Sequence, residues 1–286
     1  MRGGAVSANG GRSPTHRTKN ILYFLARYVL FRRYLVARAP AFGLRLKFRI
    51  EDAIGRWIYK RGSYEAELTD YIAHQVVFKD GDVFLDVGAN IGWYPLVLAR
   101  TSPHRIETLA FEPDPLNFAL LEANVRLNGC PSVRPIRKAV ADTEGTRTLY
   151  RYANKNLGRH SLLPINDRGT VEVETVTLDG FLAREGIDPG RVAFVKVDVE
   201  GYELPVLNGA QRLLDAVPLV LCEYSPGYMR RGRMEPKALL GLLRGKGFEP
   251  HQLEGGALRP LTFARLEAVE GNDVNVFWVK RRQPGR

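Results

Sequence analysis

The segment Val83-Phe84-Leu85-Asp86-Val87-Gly88-Ala89-Asn90-Ile91-Gly92 constrains the fold more than any other stretch of this chain. An apolar run of strand-forming residues meets an acid, then a glycine turn, then apolar residues at helical spacing, Trp93, Leu96 and Val97. A strand that turns within a few residues into a helix needs a backbone position without a Cβ, and Gly88 supplies one. Strand, tight turn and helix together predict a nucleotide-binding element. It is not the dinucleotide fingerprint G-x-G-x-x-G, because Asn90 replaces the second glycine and Gly92 comes one position early. It is not a P-loop either, since no Gly-Lys-Ser/Thr follows. An acid just before the turn suits a ligand with a cationic or amino-bearing part better than a pyrophosphate. Taken alone, the stretch also fits an ordinary strand-turn-helix.

The rest of the chain extends this unit. Strands are predicted at 107–114, 133–141, 147–153, 171–178, 192–201, 218–225, 249–253 and 274–281. Helices are predicted at 63–78, capped by Ser63 with Glu65 in its first turn, at 115–128 behind Asp114, at 202–216 and at 235–248. Alternating strands and helices specify a doubly wound, mostly parallel α/β sheet whose ligand lies beyond the carboxyl ends of the strands. Asp86, Glu112, Asp142, Asp198 and Glu223 all fall at or near predicted strand ends, so they converge on one cleft. Glu112 is placed to accept hydrogen bonds from a ribose diol and Asp142 from an adenine amino group. Lys196, Asp198 and Glu200 stand at alternate positions and share one face as their strand ends. Charges there are costly unless paired or used.

The net charge of +11 is unevenly placed: residues 1–61 hold 14 of the 42 Lys/Arg but only 2 of the 31 Asp/Glu. The basic character belongs to this segment, which weakens a nucleic-acid argument from the isoelectric point. Residues 1–20 are predicted disordered. Residues 21–61 are predicted to be a basic amphipathic helical extension, its best helix at 21–38, suited either to packing on the domain or to peripheral contact with an anionic membrane. Residues 62–286 form the main domain. Two cysteines, Cys130 and Cys222, provide no disulfide framework, and no apolar run reaches the length of a membrane span. A cytoplasmic location, with or without membrane-peripheral contact, follows as the simplest expectation.

With these residues in place, the chain resembles the S-adenosylmethionine-dependent methyltransferases of the FkbM family. The resemblance rests on 84–94, 111–128, 138–145, 176–181, 194–210 and 222–226, with Lys196-Val197-Asp198-Val199-Glu200-Gly201 its most distinctive part. It implies a seven-stranded Rossmann-like methyltransferase sheet with extra strands before the fourth core strand, in a core of about 84–254. It implies O-methylation of a sugar, glycan precursor or other small hydroxyl-bearing product. Asp86, Gly88, Ala89, Asn90 and Gly92 would line the methionine end of S-adenosylmethionine, Glu112 and Pro113 the ribose, and Asp142 the adenine. Candidates for acceptor chemistry are Asp198, Glu200, Lys196, Glu223 and the loop residue His160, with Asp198 favoured as base or acceptor-orienting group. Mg²⁺ on Asp198, Glu200 and Glu223 is compatible, but nothing in the spacing demands it. Residues 154–170 and 226–236, with Arg230, Arg231 and Arg233, are expected to form the mouth over the acceptor. A nucleic-acid methyltransferase is the weaker alternative, because the fourth strand does not end in an Asn/Asp-Pro-Pro-aromatic turn. A non-catalytic membrane-surface or assembly partner is weaker still, because its pocket has no reason to keep costly acids.

Overall fold

The computed structural model describes residues 16–152, 160–164, 169–271 and 273–281. The chain begins with helix α1 (His16–Phe24), which continues as a π-helical turn (Leu25–Val29). It then forms a β-hairpin, β1 (Tyr34–Ala39) and β2 (Leu44–Arg49), followed by helices α2 (Ala53–Arg61) and α3 (Ala66–His74). The helix predicted over 21–38 therefore ends at Val29. The remainder alternates: Leu35 is half-buried and Ala37, Ala39, Leu44, Leu46 and Phe48 are buried, every second residue within 34–39 and again within 44–49. Gly43, at φ +62°, makes the turn between them. Of the segment predicted disordered, residues 16–20 are helical; the others lie outside the described residues.

The main unit opens with β3 (Val83–Val87), α4 (Trp93–Thr101), β4 (Glu107–Phe111), α5 (Pro115–Asn128) and β5 (Val133–Ile136). Three strands follow, β6 (Ala139–Val140), β7 (Gly145–Tyr150) and β8 (Thr170–Val176), and then α6 (Leu178–Arg184). The unit continues with β9 (Val192–Val197), α7 (Glu203–Asn208), α8 (Gln211–Ala216), β10 (Leu219–Tyr224), α9 (Pro226–Arg231) and α10 (Pro236–Gly245). It closes with β11 (Phe248–Glu254), β12 (Ala257–Pro260), α11 (Phe263–Glu267) and β13 (Val274–Lys280).

Eight strands form one mixed sheet in the order β12-β11-β13-β10-β9-β3-β4-β5. The run from β10 to β5 is parallel, and β13 joins β10 antiparallel. The doubly wound α/β expectation is met, with β12 as an eighth strand beyond the predicted seven. The predicted strand 133–141 is divided between two sheets. β5 stays in the main sheet, while β6 joins β7 and β8 in a separate three-stranded sheet. The predicted helix 202–216 breaks at Gly209, where a Cβ would lie 2.2 Å from the Ala141 carbonyl oxygen. Helix α3 begins after Glu65 rather than at Ser63, with Glu65 itself left-handed at φ +42°.

The hairpin is built into the main core. Leu44, Leu46 and Phe48 are buried in the same cluster as Trp93, Leu96 and Leu121. The ring of Phe48 packs against Gly55 of α2 so closely that a Cβ there would lie 2.2 Å from it. The free edge of β2 finds a substitute strand in two asparagines one turn apart on α5. Asn124 accepts from Lys47 N (2.6 Å) and donates to Lys47 O (3.0 Å), and Asn128 does the same for Arg45 (2.9 and 2.7 Å). A sheet edge that would otherwise offer unpaired groups is thereby covered.

Candidate active site

The glycine turn sits where β3 meets β4 and β9. Phe111 O accepts from both Gly88 N (3.0 Å) and Ala89 N (2.9 Å), and Asn90 N donates to Glu112 Oε2 (2.9 Å). These amides are spent inside the protein, so the turn offers no ready nest for a pyrophosphate. Gly88 is required twice. Its φ is +88°, and a Cβ would lie 1.9 Å from the Asp198 carbonyl oxygen. Gly92 caps α4 at φ +91°, and a Cβ there would strike Leu121.

Two cavities meet at this turn, sharing Gly88, Asn90 and Asp198. The first comprises about 530 Å³ of space, part of it open to solvent. Glu112 and Pro113 line it, with Asn117, Val140, Leu149, His160 and Tyr202. Glu112 is buried, and Asp114 N donates to its Oε1 (2.9 Å). Burial pushes this carboxyl up to about 8 despite those amide bonds. Nearby, the buried Oδ1 of Asn90 has no hydrogen-bond partner among the described residues. A buried acceptor pair and an orphaned acceptor beside an apolar slot fit a nucleoside carrying hydroxyl and amino donors.

The second cavity, about 870 Å³, is lined by Lys196, Asp198, Glu200 and Glu223 together with Ile54, Tyr64, Glu65 and Tyr94. Lys196 and Asp86 are register partners on neighbouring parallel strands. Lys196 Nζ donates to Asp198 Oδ2 (2.9 Å) and stands 3.9 Å from Asp86 Oδ1. Burial opposes the lysine's charge, but Asp198 and Asp86 outweigh it and hold the ammonium above the usual lysine range. Burial pushes Asp86 up to about 6, with Lys196 resisting. Burial, then Asp198 and Glu200, push Glu223 well above the carboxylate range. Burial also raises Glu65, although the Tyr94 hydroxyl donates to it.

The turn after β9 is clamped. Glu200 is left-handed at φ +54° and Gly201 follows at φ +95°. Glu203 Oε1 accepts from Val199 N (3.2 Å) and Gly201 N (3.0 Å), while Ser161 Oγ donates to Glu200 O (3.0 Å). Glu203 is fully buried, which pushes it up to about 7.

The structure thus brings Gly88, Asn90, Glu112, Pro113 and His160 to the first cavity. It brings Ala89, Lys196, Asp198, Glu200 and Glu223 to the second. Three predicted residues line neither. Asp86 lies behind the wall as the ion partner of Lys196. Gly92 is a helix cap. Asp142 pairs with Arg147 (2.8 Å) on the exposed flank of the small sheet, because the chain leaves the main sheet before reaching it. Lys196, Asp198 and Glu200 do not form one strand face, because β9 stops at Val197; the left-handed turn at Glu200 brings them together instead. His160 is on the first-cavity side, its Nδ1 accepting from Tyr152 N (3.1 Å), and burial lowers it below the usual histidine value. The predicted mouth at 154–170 lies largely outside the described residues. Arg230 is bonded to Glu270 O (2.7 Å), and none of Arg230, Arg231 and Arg233 lines either cavity. Among the described residues no group of three or more His, Cys, Asp or Glu is arranged for a metal ion. In the cleft, the cation beside Asp198 is Lys196.

Tyr64, Glu65, Tyr94 and Glu203 were not identified as site residues from the sequence. Tyr64 and Glu65 carry no local signal and reach the cleft only through packing of α3. Glu203 has a faint one, an acid opening an otherwise apolar helix directly after a charged turn.

A mostly parallel α/β sheet with two cavities meeting at one glycine turn defines the Rossmann-like methyltransferase class. Residues 86–250 match the family model described as the methyltransferase FkbM domain, and the chain belongs to that family. It is 30% identical over 166 residues to hexuronic acid methyltransferase AglP of Haloferax volcanii, covering 58% of this chain and 62% of that protein. It is 31% identical over 182 residues to 31-O-demethyl-FK506 methyltransferase FkbM of Streptomyces tacrolimicus, covering 52% of this chain and 67% of that one. The crystal structure of methyltransferase FkbM from Methylobacillus flagellatus KT superposes with a TM-score of 0.44 at 16% identity, covering 72% of this chain and 45% of that chain.

Proposed function

We propose that the protein transfers a methyl group from S-adenosylmethionine to a hydroxyl of a sugar, glycan precursor or other small natural product. The observation that carries this reading is the junction of the two cavities at Gly88, Asn90 and Asp198. A donor in one cavity and an acceptor in the other would meet there. The named relatives act on a hexuronic acid and on a demethylated natural product, which supports a hydroxyl acceptor.

Glu112 would hold the ribose hydroxyls, Asn90 Oδ1 would accept from a donor group of the ligand, and Val140, Leu149 and Tyr202 would sandwich the base. When bound, S-adenosylmethionine supplies an electrophilic methyl group on a sulfonium. The protein's task is then to align an acceptor oxygen and remove its proton, and alignment alone can contribute up to ~7–11 kcal/mol. Asp198 is the residue we assign to accept that proton, because it lines both cavities and Lys196 pins its Oδ2. Lys196 holds the carboxylate correctly turned. Glu223 and Glu65, raised by burial, are suited to hydrogen-bond an acceptor rather than to act as its base. Tyr64 and Tyr94 would supply ring surface to the same cavity.

Isothermal titration with adenosylhomocysteine tests the donor half: binding is expected in the wild type and absent in Glu112→Ala. A folded wild-type protein that binds none would overturn the reading. For the base, Asp198→Asn is expected to retain adenosylhomocysteine affinity and lose ~100-fold or more in turnover. Near-normal turnover would move that role elsewhere.

A further inference from the structure

Helix α2 presents Ile54 to the second cavity, and against its far end packs a surface that methyl transfer does not use. α1 is tied there through Tyr23 and Lys19. The Tyr23 ring lies tilted against that of Tyr59, with centroids 6.2 Å apart, its hydroxyl donates to Ile50 O, and Lys19 Nζ donates to Lys60 O (3.3 Å). Tyr23 and Ala26 are buried against Ile50. Every other apolar residue from Phe24 to Phe31 is between 41% and 79% exposed. Single exposed apolar residues are ordinary on a protein surface, but six within eight positions, Phe24, Leu25 and Tyr28 to Phe31, are not.

Beside this run lies an open hollow of about 1110 Å³ lined by Arg27, Arg32, Arg33 and Arg49 together with Tyr28 and Phe31. Its one acid, Glu51, is engaged by Arg49 at 3.0 Å, and no acid precedes Glu51 in the chain. Guanidinium groups match phosphate oxygens in a fork that lysine does not offer. An apolar, aromatic strip flanked by arginines is the chemistry of a segment lying in a bilayer interface. A second copy of this chain is a poor occupant, since a two-fold contact would set the same four arginines against each other. A nucleic acid would satisfy the charges but leave the apolar strip in water.

We propose that residues 19–33, with Arg49, dock the protein on an anionic phospholipid bilayer, with the apolar strip at the acyl boundary and the arginine hollow over lipid phosphates. Flotation of the full chain with vesicles tests this. The protein is expected to float with phosphatidylcholine vesicles containing phosphatidylglycerol, to stay behind with pure phosphatidylcholine, and to be released by added salt. Arg32→Gln combined with Arg33→Gln is expected to lower partitioning roughly thirtyfold. Phe24→Ser combined with Phe31→Ser should abolish it, and both variants should melt like the wild type because these side chains are exposed. Three results would each overturn the proposal: no flotation with phosphatidylglycerol vesicles, flotation unchanged in both variants, or a concentration-dependent dimer that both variants dissociate.

Discussion

At the scale of single residues, the cleft is a set of carboxyls held away from their ordinary ionisation. Glu112 is the clearest case. Burial raises it to about 8, so at neutral pH it carries a proton that a ribose diol, donating to the carboxylate, would displace. Adenosylhomocysteine binding near pH 7 is therefore expected to release a proton and to tighten as pH rises toward 8. Titrations in buffers of different ionisation enthalpy would show the release, and Glu112→Gln should remove it. Asn124 shows the same economy in a structural role. It is fully buried and bonds both backbone groups of Lys47 and the carbonyl of Ile91 (2.9 Å). Asn124→Ala would leave those groups unpaired, at a cost of about 1–3 kcal/mol measured by urea unfolding. From the sequence this asparagine is one polar residue in a helix, because its partners Ile91 and Lys47 stand 33 and 77 positions away.

At the scale of elements, the N-terminal hairpin changes what the basic segment is. Its arginines suggest an appended helix, yet β2 sends Leu44, Leu46 and Phe48 into the core that also holds Trp93 and Leu96. Phe48→Ala is expected to cost ~3–5 kcal/mol. It should do so within a single cooperative transition followed by circular dichroism, since hairpin and sheet share one cluster. A first transition that leaves the main sheet intact would show the hairpin to be separable. The alternation in 44–49 is legible in hindsight, but a hairpin is a non-local pairing, and the amphipathic pattern before it is equally compatible with helix. The central strands β3, β4, β9 and β10 were legible because each is a short apolar run closed by a turn. The division of 133–141 between two sheets was not, because nothing in the run of side chains marks a change of partner.

At the scale of the whole molecule, the buried carboxyls set how stability depends on pH. Asp86, Glu203 and Glu112 are raised to about 6, 7 and 8, from ordinary values of 3.8, 4.5 and 4.5. An acid raised in the folded state binds its proton more tightly there than in the unfolded chain. Its contribution is therefore complete at low pH and is lost as pH rises through the folded value. The ligand-free protein is expected to lose thermal stability steadily between pH 5 and pH 8, and Glu203→Gln should flatten part of that slope in calorimetry. A ligand that binds only the native state counters the loss. At a hundred times its dissociation constant, adenosylhomocysteine should add about 2.7 kcal/mol, visible as a higher melting temperature.

The sequence by itself determined the doubly wound sheet, the glycine turn and the run of acids at strand ends, because each is a local consequence of periodicity, φ and charge. On the same grounds it singled out Glu112, which lines the first cavity, and Asp198, which lines both. Tertiary structure alone decided that Asp86 and Gly92 support the wall rather than line it, that Asp142 stands outside the cleft, and that Tyr64 and Glu65 stand within it. The physical reason is common to all of these. Which atoms border a cavity depends on where one segment packs against another, and residues distant in the chain carry no record of that contact in their own neighbourhoods.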